Sequence, residues 1–169
     1  RPAVALVNWL ATLLIPPRFL PSLDFSKGIP DDHRTIVVVP TFLGPPAASA
    51  RLLEDLEVRC LANPAKNLLF ALLTDFPDAD SAELPADRAW LDAALQGIRR
   101  LNARHAPKGE PRFFLLHRPR IWNPAEGKWM GHERKRGKLE DFNRLVVDGR
   151  ADAFSVVSGD VAALRAVRY

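Results

Sequence analysis

Three short and almost uninterrupted apolar runs mark the candidate strands of this chain. They are Thr35–Val39, Leu68–Leu73 and Arg112–His117, which read TIVVV, LLFALL and RFFLLH. Runs of this length, rich in β-branched, leucine and aromatic side chains, are typical of strands buried on both faces of a sheet. A fourth extended segment is predicted at Phe154–Val157.

Helical periodicity fills the segments between these strands. Apolar residues recur at helical spacing over residues 49–62 and 86–105, and again from Leu139 to Val147. A last helix is predicted from Asp160 to Ala166. Strands that alternate with helices in this way predict right-handed crossovers in a parallel sheet, which is the doubly wound α/β class.

The N-terminal segment is the most apolar part of the sequence. Residues Ala3–Ile15 contain only two polar side chains, but a helix that spans a bilayer needs about 20 residues. Three interpretations are open: the end of a transmembrane helix, a helix at a membrane interface, or a core helix. Trp9 within the run and Arg18 after it favour a short membrane-adjacent helix, because both side chains suit the interface.

Composition and charge are those of a globular domain that accepts anionic partners. The 169 residues carry a net charge of +4, which permits phosphates, nucleic acid or an acidic membrane face without choosing among them. The lone cysteine, Cys60, excludes a disulfide framework. Residues 1–30 are expected to form the membrane-adjacent helix and a proline-rich connector, and residues 31–169 the domain. The start at Arg1, without methionine, suggests a piece of a longer protein.

Several common catalytic and cofactor motifs are missing from the sequence. It has no glycine-rich phosphate fingerprint of the dinucleotide or Walker kind, and no serine in a nucleophile elbow. The four histidines lie far apart, without the spacing of metal ligands. His117 ends a predicted strand, where a structural role is expected.

The polar stretch from Trp122 to Asn143 is the part least explained by core-building. It has no apolar period before Gly137, so one interpretation is a solvated charged loop. The other is a ligand site, in which Gly137 breaks the backbone ahead of a helix starting at Leu139 and Lys138 supplies a mobile charge for phosphate. The large apolar side chains of the stretch are Trp122, Trp129 and Met130. In so polar a segment they would suit a ring or a sugar face.

The loops after the first three strands are the expected position of a ligand, because ligands of open parallel sheets sit beyond the carboxyl ends of the strands. Two of these loops are residues 40–44 and 74–80. Asp75 follows the second strand, where its carboxylate either accepts from a ribose hydroxyl or a base N–H, or merely caps the loop. Asp78 lies in the same acidic loop.

Five segments of the chain carry a more specific signal. They read VVVPTFL (37–43), LEDLEVRCLAN (53–63), LLFALLTDFPDA (68–79), RFFLLHRPRIWNPAEGKWMGHERKRGKLEDFN (112–143) and FSVVSGD (154–160). In this order they resemble the glycosyltransferase domain of bacterial cyclic β-1,2-glucan synthases. The resemblance implies a partial GT-A-like (Rossmann-type) parallel sheet flanked by helices. It also implies an inverting, processive enzyme that builds β-1,2-glucan from UDP-glucose.

The resemblance also assigns site residues. Asp75 would contact uracil or ribose, and Lys138 would bind near the donor. The implied UDP-glucose-binding residues are Pro40, Thr41, Asp75, Asp78, Arg134, Arg136, Gly137, Lys138 and Asn143. Arg134 and Arg136 rest only on proximity to the glycine-lysine motif. Since uridine and diphosphate together span on the order of 10 Å, we expect Asp75 and Lys138 to face each other across a cleft.

The sequence departs from the family pattern in what it lacks. The metal-binding Asp-x-Asp that the family carries after its next strand is absent, as are its catalytic-base aspartate and its acceptor-binding Gln-x-x-Arg-Trp. We therefore expect Mg²⁺ or Mn²⁺ only in the full-length enzyme, catalytic residues only beyond Tyr169, and no activity of this chain alone.

The implied partners are UDP-glucose, the growing glucan chain and the bacterial inner membrane, with the domain on the cytoplasmic face and no nucleic acid. Two other classes stay open. One is a basic α/β module that binds phosphate-rich ligands or RNA, and the other is an assembly domain of a membrane complex.

Overall fold

The computed structural model describes residues 2–14, 24–106 and 110–169. Its main strands are β1 (Thr35–Phe42), β2 (Leu68–Asp75), β3 (Phe113–Arg118) and β6 (Val156–Ser158), and a separate hairpin consists of β4 (Ile121–Asn123) and β5 (Lys128–Met130). The helices are α1 (Pro2–Leu14), α2 (Pro46–Ala62), α3 (Asp87–His105), α4 (Arg134–Asp148) and α5 (Val161–Arg165), with a 3-10 turn at Asp31–His33. The main sheet has the strand order β1-β2-β3-β6.

The parallel core predicted from the apolar runs is confirmed. β1 pairs with β2 and β2 with β3, both in parallel, and α2 and α3 connect these strands. The fourth strand begins at Val156 instead of Phe154 and runs antiparallel to β3, so the sheet is mixed. α/β sheets commonly carry an antiparallel edge strand. Here Ser155 holds the edge strand by donating from its backbone N–H and hydroxyl to His117 O.

β2 is buried along its whole length and separates two hydrophobic cores. Alternate side chains of a strand point to opposite faces of the sheet. Phe70 and Leu72 face α2 and α3 on one side, which we call the α3 face. Leu69 and Leu73 face α4 and α5 on the other side, which we call the α4 face. The same alternation directs neighbouring residues at the strand ends to opposite faces.

α1 confirms the predicted apolar N-terminal helix. All of its residues are exposed, and Val7, Leu10 and Leu14 are 63%, 43% and 77% exposed, so they are not buried against the sheet. No helix within residues 2–14, 24–106 and 110–169 is long and apolar enough to cross a membrane. Arg18 and most of the connector lie outside the described residues, and a membrane position of α1 stays a prediction.

Candidate functional site

The carboxyl ends of β1, β2 and β3 lie side by side at one edge of the sheet. Their last residues, Phe42, Asp75 and Arg118, are register partners. Strand alternation directs all three side chains to the α4 face. This is the edge at which ligands of open parallel sheets bind, and α4 covers it.

Four ionisable side chains form a buried strand-end cluster at this edge: Asp75, Arg118, Lys138 and Asp141. Arg118 binds Asp75 bidentately, with Nε donating to Oδ1 over 2.8 Å and Nη2 to Oδ2 over 2.9 Å. Its Nη1 donates to Asp141 Oδ2 over 2.7 Å. Lys138 Nζ lies 3.1 Å from Asp75 Oδ2 and donates to Thr41 O over 2.6 Å. The cluster thus joins α4 to the ends of β1, β2 and β3.

The strand-end cluster balances its own charges, since two cations face two carboxylates. Burial lowers the pKa of Lys138, and the attraction of Asp75 opposes that effect. Burial also acts to lower the pKa of Arg118, but hydrogen bonds to Asp75 and Asp141 outweigh it and leave the pKa raised. A buried ion pair contributes little net stability, whereas removing one partner leaves an unpaired buried charge. A single substitution within the cluster is therefore expected to destabilise the fold.

Two glycines allow the chain to close around the cluster. A Cβ at Gly131 would lie 2.2 Å from Asp75 Oδ2, and a Cβ at Gly137 would lie 2.3 Å from His132 O. Both distances are well inside van der Waals contact, so no larger residue fits at either position without movement of the cluster or the loop. Gly137 is needed for this close approach and not as a break in the chain.

The loop between the hairpin and α4 depends on Arg118. Glu133 and Arg134 adopt left-handed φ angles of 48° and 47°, which are uncommon for residues other than glycine and cost energy. Arg118 Nη2 donates to the carbonyl oxygens of His132 and Arg134 over 3.0 Å and 3.2 Å. These hydrogen bonds hold the strained turn that starts α4.

The structure corrects the predicted geometry of Asp75 and Lys138. The two side chains form a direct ion pair at 3.1 Å and are not separated by a cleft of about 10 Å. Lys138 is 3% exposed and is not a mobile surface charge. α4 begins at Arg134 and not at Leu139, so Gly137 and Lys138 lie inside the helix. The predicted cleft, the mobile charge of Lys138 and the helix start at Leu139 were wrong for one reason. An apolar period cannot reveal a helix face that buries charges against counter-charges.

The remaining predicted residues lie around the cluster at differing depths. Pro40 and Thr41 belong to β1 itself and not to a loop after it, and the carbonyl of Thr41 accepts from Lys138. Asp78 Oδ2 lies 3.0 Å from Arg134 Nη2 at the rim. The structure therefore brings Thr41, Asp75 and Lys138 together, with Asp78 and Arg134 as a separate surface pair.

Three exposed basic residues of the polar stretch, Lys128, Arg134 and Arg136, are paired with acidic neighbours, whereas Lys135 is exposed and has no ion pair within the described ranges. Arg134 also lies 3.0 Å from Glu126. Arg136 pairs with Glu133 and Glu140 along the first turns of α4. Asn143 is exposed on α4, and within the described residues it has no hydrogen bond to the cluster. Arg136 and Asn143 are thus not brought to the cluster.

Sequence reasoning missed Arg118, Asp141 and Phe42. Asp75 and Arg118 each end a buried strand, so opposite charges at the ends of neighbouring strands were a usable signal. Asp141 follows Lys138 by one helical turn, which places both on one helix face. Phe42 is 45% exposed at the end of β1, and Lys138 Nζ lies 5.0 Å from the centroid of its ring.

The tryptophans of the polar stretch form a cross-strand pair in the β4–β5 hairpin. Trp122 and Trp129 are register partners with ring centroids 5.9 Å apart. Trp122 is exposed and Trp129 is half-buried, so both can contribute to the predicted surface for a ring or a sugar face. Met130 is buried and cannot. A cavity of about 570 Å³ lies between the hairpin and the loop before α4. The backbone of Trp129 pairs with Ala79, so the hairpin is fixed to the loop after β2.

The strand-end cluster does not fit a divalent cation. Asp75 and Asp141, its two carboxylates, are bound to Arg118. Within the described ranges no group of three or more His, Cys, Asp or Glu side chains is placed to hold a metal ion. The Mg²⁺ or Mn²⁺ that the resemblance implies for the full-length enzyme stays a prediction.

Comparison with known proteins identifies a relative. No protein-family profile matches the chain. The chain is 47% identical over 152 residues to cyclic β-(1,2)-glucan synthase NdvB of Rhizobium meliloti (strain 1021). The match covers 90% of this chain but only 5% of the length of the relative. It confirms the family resemblance of the sequence, and the chain corresponds to one short segment of a cyclic β-(1,2)-glucan synthase.

Proposed function

We propose that this chain is the donor-nucleotide-binding part of an inverting, processive glycosyltransferase that builds cyclic β-1,2-glucan from UDP-glucose. The observation that carries the proposal is the 47% identity to NdvB over 90% of the chain. The fold supports it, because candidate residues gather at the carboxyl edge of a parallel sheet, where ligands of such sheets bind.

In this proposal the sugar-nucleotide donor lies over the strand-end cluster and does not insert between Asp75 and Lys138. Both oxygens of Asp75 already accept hydrogen bonds from Arg118, so Asp75 acts as a positioning residue that fixes Lys138 against Phe42. The exposed part of the Phe42 ring offers a stacking surface for uracil. The ammonium of Lys138, 5.0 Å from the ring centroid, places positive charge beside the base.

The diphosphate would lie toward Arg134, at the rim of the same edge. Arg134 is half-exposed and shared between Asp78 and Glu126. Exposed ion pairs contribute only about 0–1 kcal/mol each, so a diphosphate can replace them at little cost. The other donor-site candidates, which we keep as weaker contributors, are Pro40, Thr41, Arg136, Gly137 and Asn143.

We further propose that the chain does not transfer glucose by itself. Its cluster carboxylates are bound by Arg118 and Lys138, so neither is available as a general base. The growing glucan and a divalent cation would be held by other parts of a longer enzyme. In that enzyme α1, with every residue exposed and Trp9 among them, would lie at the cytoplasmic face of the inner membrane.

An RNA-binding module has less support. Nucleic-acid binding needs a basic surface that is free to neutralise phosphates. Arg134 and Arg136 are each shared between two carboxylates, and Lys138 is buried in the strand-end cluster. Of the basic residues of this stretch that the structure describes, Lys135 is the exposed one without an ion pair, so the stretch presents little unpaired positive charge to a nucleic-acid backbone.

Calorimetry with UDP, UDP-glucose and inorganic diphosphate tests the donor site. We expect both uridine ligands to bind and diphosphate to bind more weakly, because the uracil contact with Phe42 is lost. Phe42→Ala should weaken UDP binding by roughly 1–2 kcal/mol through the lost aromatic contact, whereas Val58→Ala, at an exposed apolar residue of α2, should not.

Arg134→Ala should weaken binding of UDP and of diphosphate, and Lys66→Ala, a control at an exposed lysine on another loop, should change neither. Equal affinity for all three ligands, or equal affinity of the Phe42 and Val58 variants for UDP, would leave only a nonspecific basic surface.

A further inference from the structure

A second cavity lies on the α3 face, on the opposite side of the sheet from the strand-end cluster. Its volume is about 460 Å³, within the range of small-molecule sites. His117 and Phe76 line it, and we call it the His117 cavity. Because side chains alternate along β3, His117 points away from Arg118, its neighbour in the cluster. The apolar wall opposite is formed by Leu84, Leu91 and Leu95.

His117 leaves one hydrogen-bonding atom unused. The residue is 1% exposed, Nδ1 lies 2.9 Å from Thr74 Oγ1, and Nε2 is buried without a partner among the described residues. The Thr74 hydroxyl lies 3.4 Å from Leu116 O, and when it donates there it accepts from Nδ1–H, which leaves Nε2 as an unprotonated acceptor. Burial lowers the pKa of His117 to about 4, so the imidazole is neutral at pH 7.

The free nitrogen of His117 is buried beneath the wall of the cavity. The two nitrogens of an imidazole point to opposite sides of the ring, and Nδ1 is turned toward Thr74 on β2. Nε2 therefore faces the β6 side of β3. Ser155 and Val156, which lie on that side, also line the cavity. Buried polar atoms are nearly always hydrogen-bonded, so this acceptor calls for a donor from a molecule in the cavity.

The charges around the His117 cavity disfavour an anion. Arg120, its most buried cation, already donates to two backbone carbonyls and to both oxygens of Asp87. At the rim, Arg88 lies 3.8 Å from Asp92, and Glu83 adds a further negative charge. Among the described lining residues a phosphate would meet Arg88 as its one exposed cation, and Arg88 already faces Asp92, whereas a neutral molecule meets an apolar wall and one acceptor.

We propose that the His117 cavity binds a neutral, hydroxyl-bearing ring, of which a glucosyl unit of β-glucan is the expected example. One hydroxyl of the ring donates to His117 Nε2 after the side chains that cover this atom move aside, and the carbon–hydrogen face of the ring packs on Phe76 and Leu91. The choice of β-glucan rests on the proposed function. The cavity shares no residue with the proposed donor site, so the two ligands bind independently.

A β-1,2-linked glucose disaccharide titrated into the 169-residue chain with isotope-labelled histidine tests this proposal. We expect the Nε2 resonance of His117 at pH 7 to move on addition of the disaccharide, because the free acceptor gains a hydrogen bond. Inorganic phosphate at the same concentration should leave that resonance in place. An Nε2 resonance that stays in place up to the highest soluble concentration of disaccharide would overturn the proposal.

Two variants separate the acceptor from the shape of the cavity. Leu91→Trp fills the cavity and leaves the acceptor of His117 in place. His117→Phe keeps an aromatic ring but removes the acceptor nitrogen. Each should weaken disaccharide binding about tenfold or more, Leu91→Trp by excluding the ring and His117→Phe by removing one buried hydrogen bond. Leu61→Trp, at an exposed leucine of α2, is the control and should bind as the parent does. Equal binding by Leu91→Trp and Leu61→Trp would contradict the proposal even if His117→Phe failed to fold.

UDP binding, measured on the same samples, keeps this inference separate from the proposed function. If UDP binds but the disaccharide does not move His117, the sugar cavity alone is wrong. If the disaccharide moves His117 but UDP does not bind, the donor site is wrong and the cavity stands.

Discussion

Neighbouring residues at the ends of β2 and β3 produce two opposite environments. On the α4 face, Asp75 and Arg118 satisfy each other and are joined by Lys138. On the α3 face, Thr74 and His117 form one hydrogen bond, and the other nitrogen of His117 has no partner in the described part of the chain. The comparison teaches that a concentration of buried charge is not by itself a binding site. A closed network fixes structure, whereas the unpaired acceptor at the wall of the His117 cavity is the basis of the proposed ligand contact.

The largest expected effect comes from opening the closed network. Asp75→Ala leaves the buried cations Arg118 and Lys138 without their shared carboxylate, and we expect it to lower the free energy of unfolding by about 3–5 kcal/mol. Asp80→Ala is the matched control, since Asp80 is an exposed carboxylate paired with Lys128, and it should cost about 0–1 kcal/mol. Urea denaturation measures both. Similar values for the two variants would mean that the cluster is not the structural element described above.

The buried imidazole of His117 makes the free energy of unfolding depend on pH. The pKa of His117 is about 4 in the folded chain and about 6.5 when unfolded, so the unfolded state takes up the proton first as pH falls. The stability contributed by neutral His117 is therefore complete above pH 6.5 and is lost between pH 6.5 and pH 4, by about 3 kcal/mol in total. Urea denaturation at several pH values should show a shallower loss for His117→Phe. Identical pH slopes for parent and variant would contradict this.

A smaller effect is expected where the chain closes over the cluster. A Cβ at Gly131 would lie 2.2 Å from Asp75 Oδ2, so Gly131→Ala should displace the carboxylate from Arg118 and cost about 1–3 kcal/mol. Gly44→Ala is the control, because its Cβ would meet only Ala48 at 3.5 Å, an ordinary contact. Thermal unfolding compares the two. A Gly131 variant as stable as the Gly44 variant would show that the loop adjusts freely around Asp75.

The parts of the fold that depend on apolar pattern could be predicted from the sequence, and the parts that depend on charge pairing could not. The three parallel strands follow from TIVVV, LLFALL and RFFLLH because burial on both faces requires continuous apolar runs. The start of α4 was missed because its first turns lie against Arg118 with a glycine and a buried charged side chain, and not with apolar residues. For the same reason the predicted site placed Asp75 and Lys138 on opposite sides of a cleft. A sequence does not show which charges neutralise each other.

The smallest expected effect lies at the exposed end of the same basic stretch. Arg136 pairs with Glu133 and Glu140 at the surface, so Arg136→Ala should change the free energy of unfolding by no more than about 0.5 kcal/mol. Lys138→Met, two residues further along α4, leaves Asp75 with one cation fewer in a buried site and should cost several times as much. Urea denaturation at low and high salt sharpens the contrast, because salt screens the exposed pair and not the buried one. If the two variants lost equal stability, the division of this stretch into a buried cluster and a solvated face would be wrong.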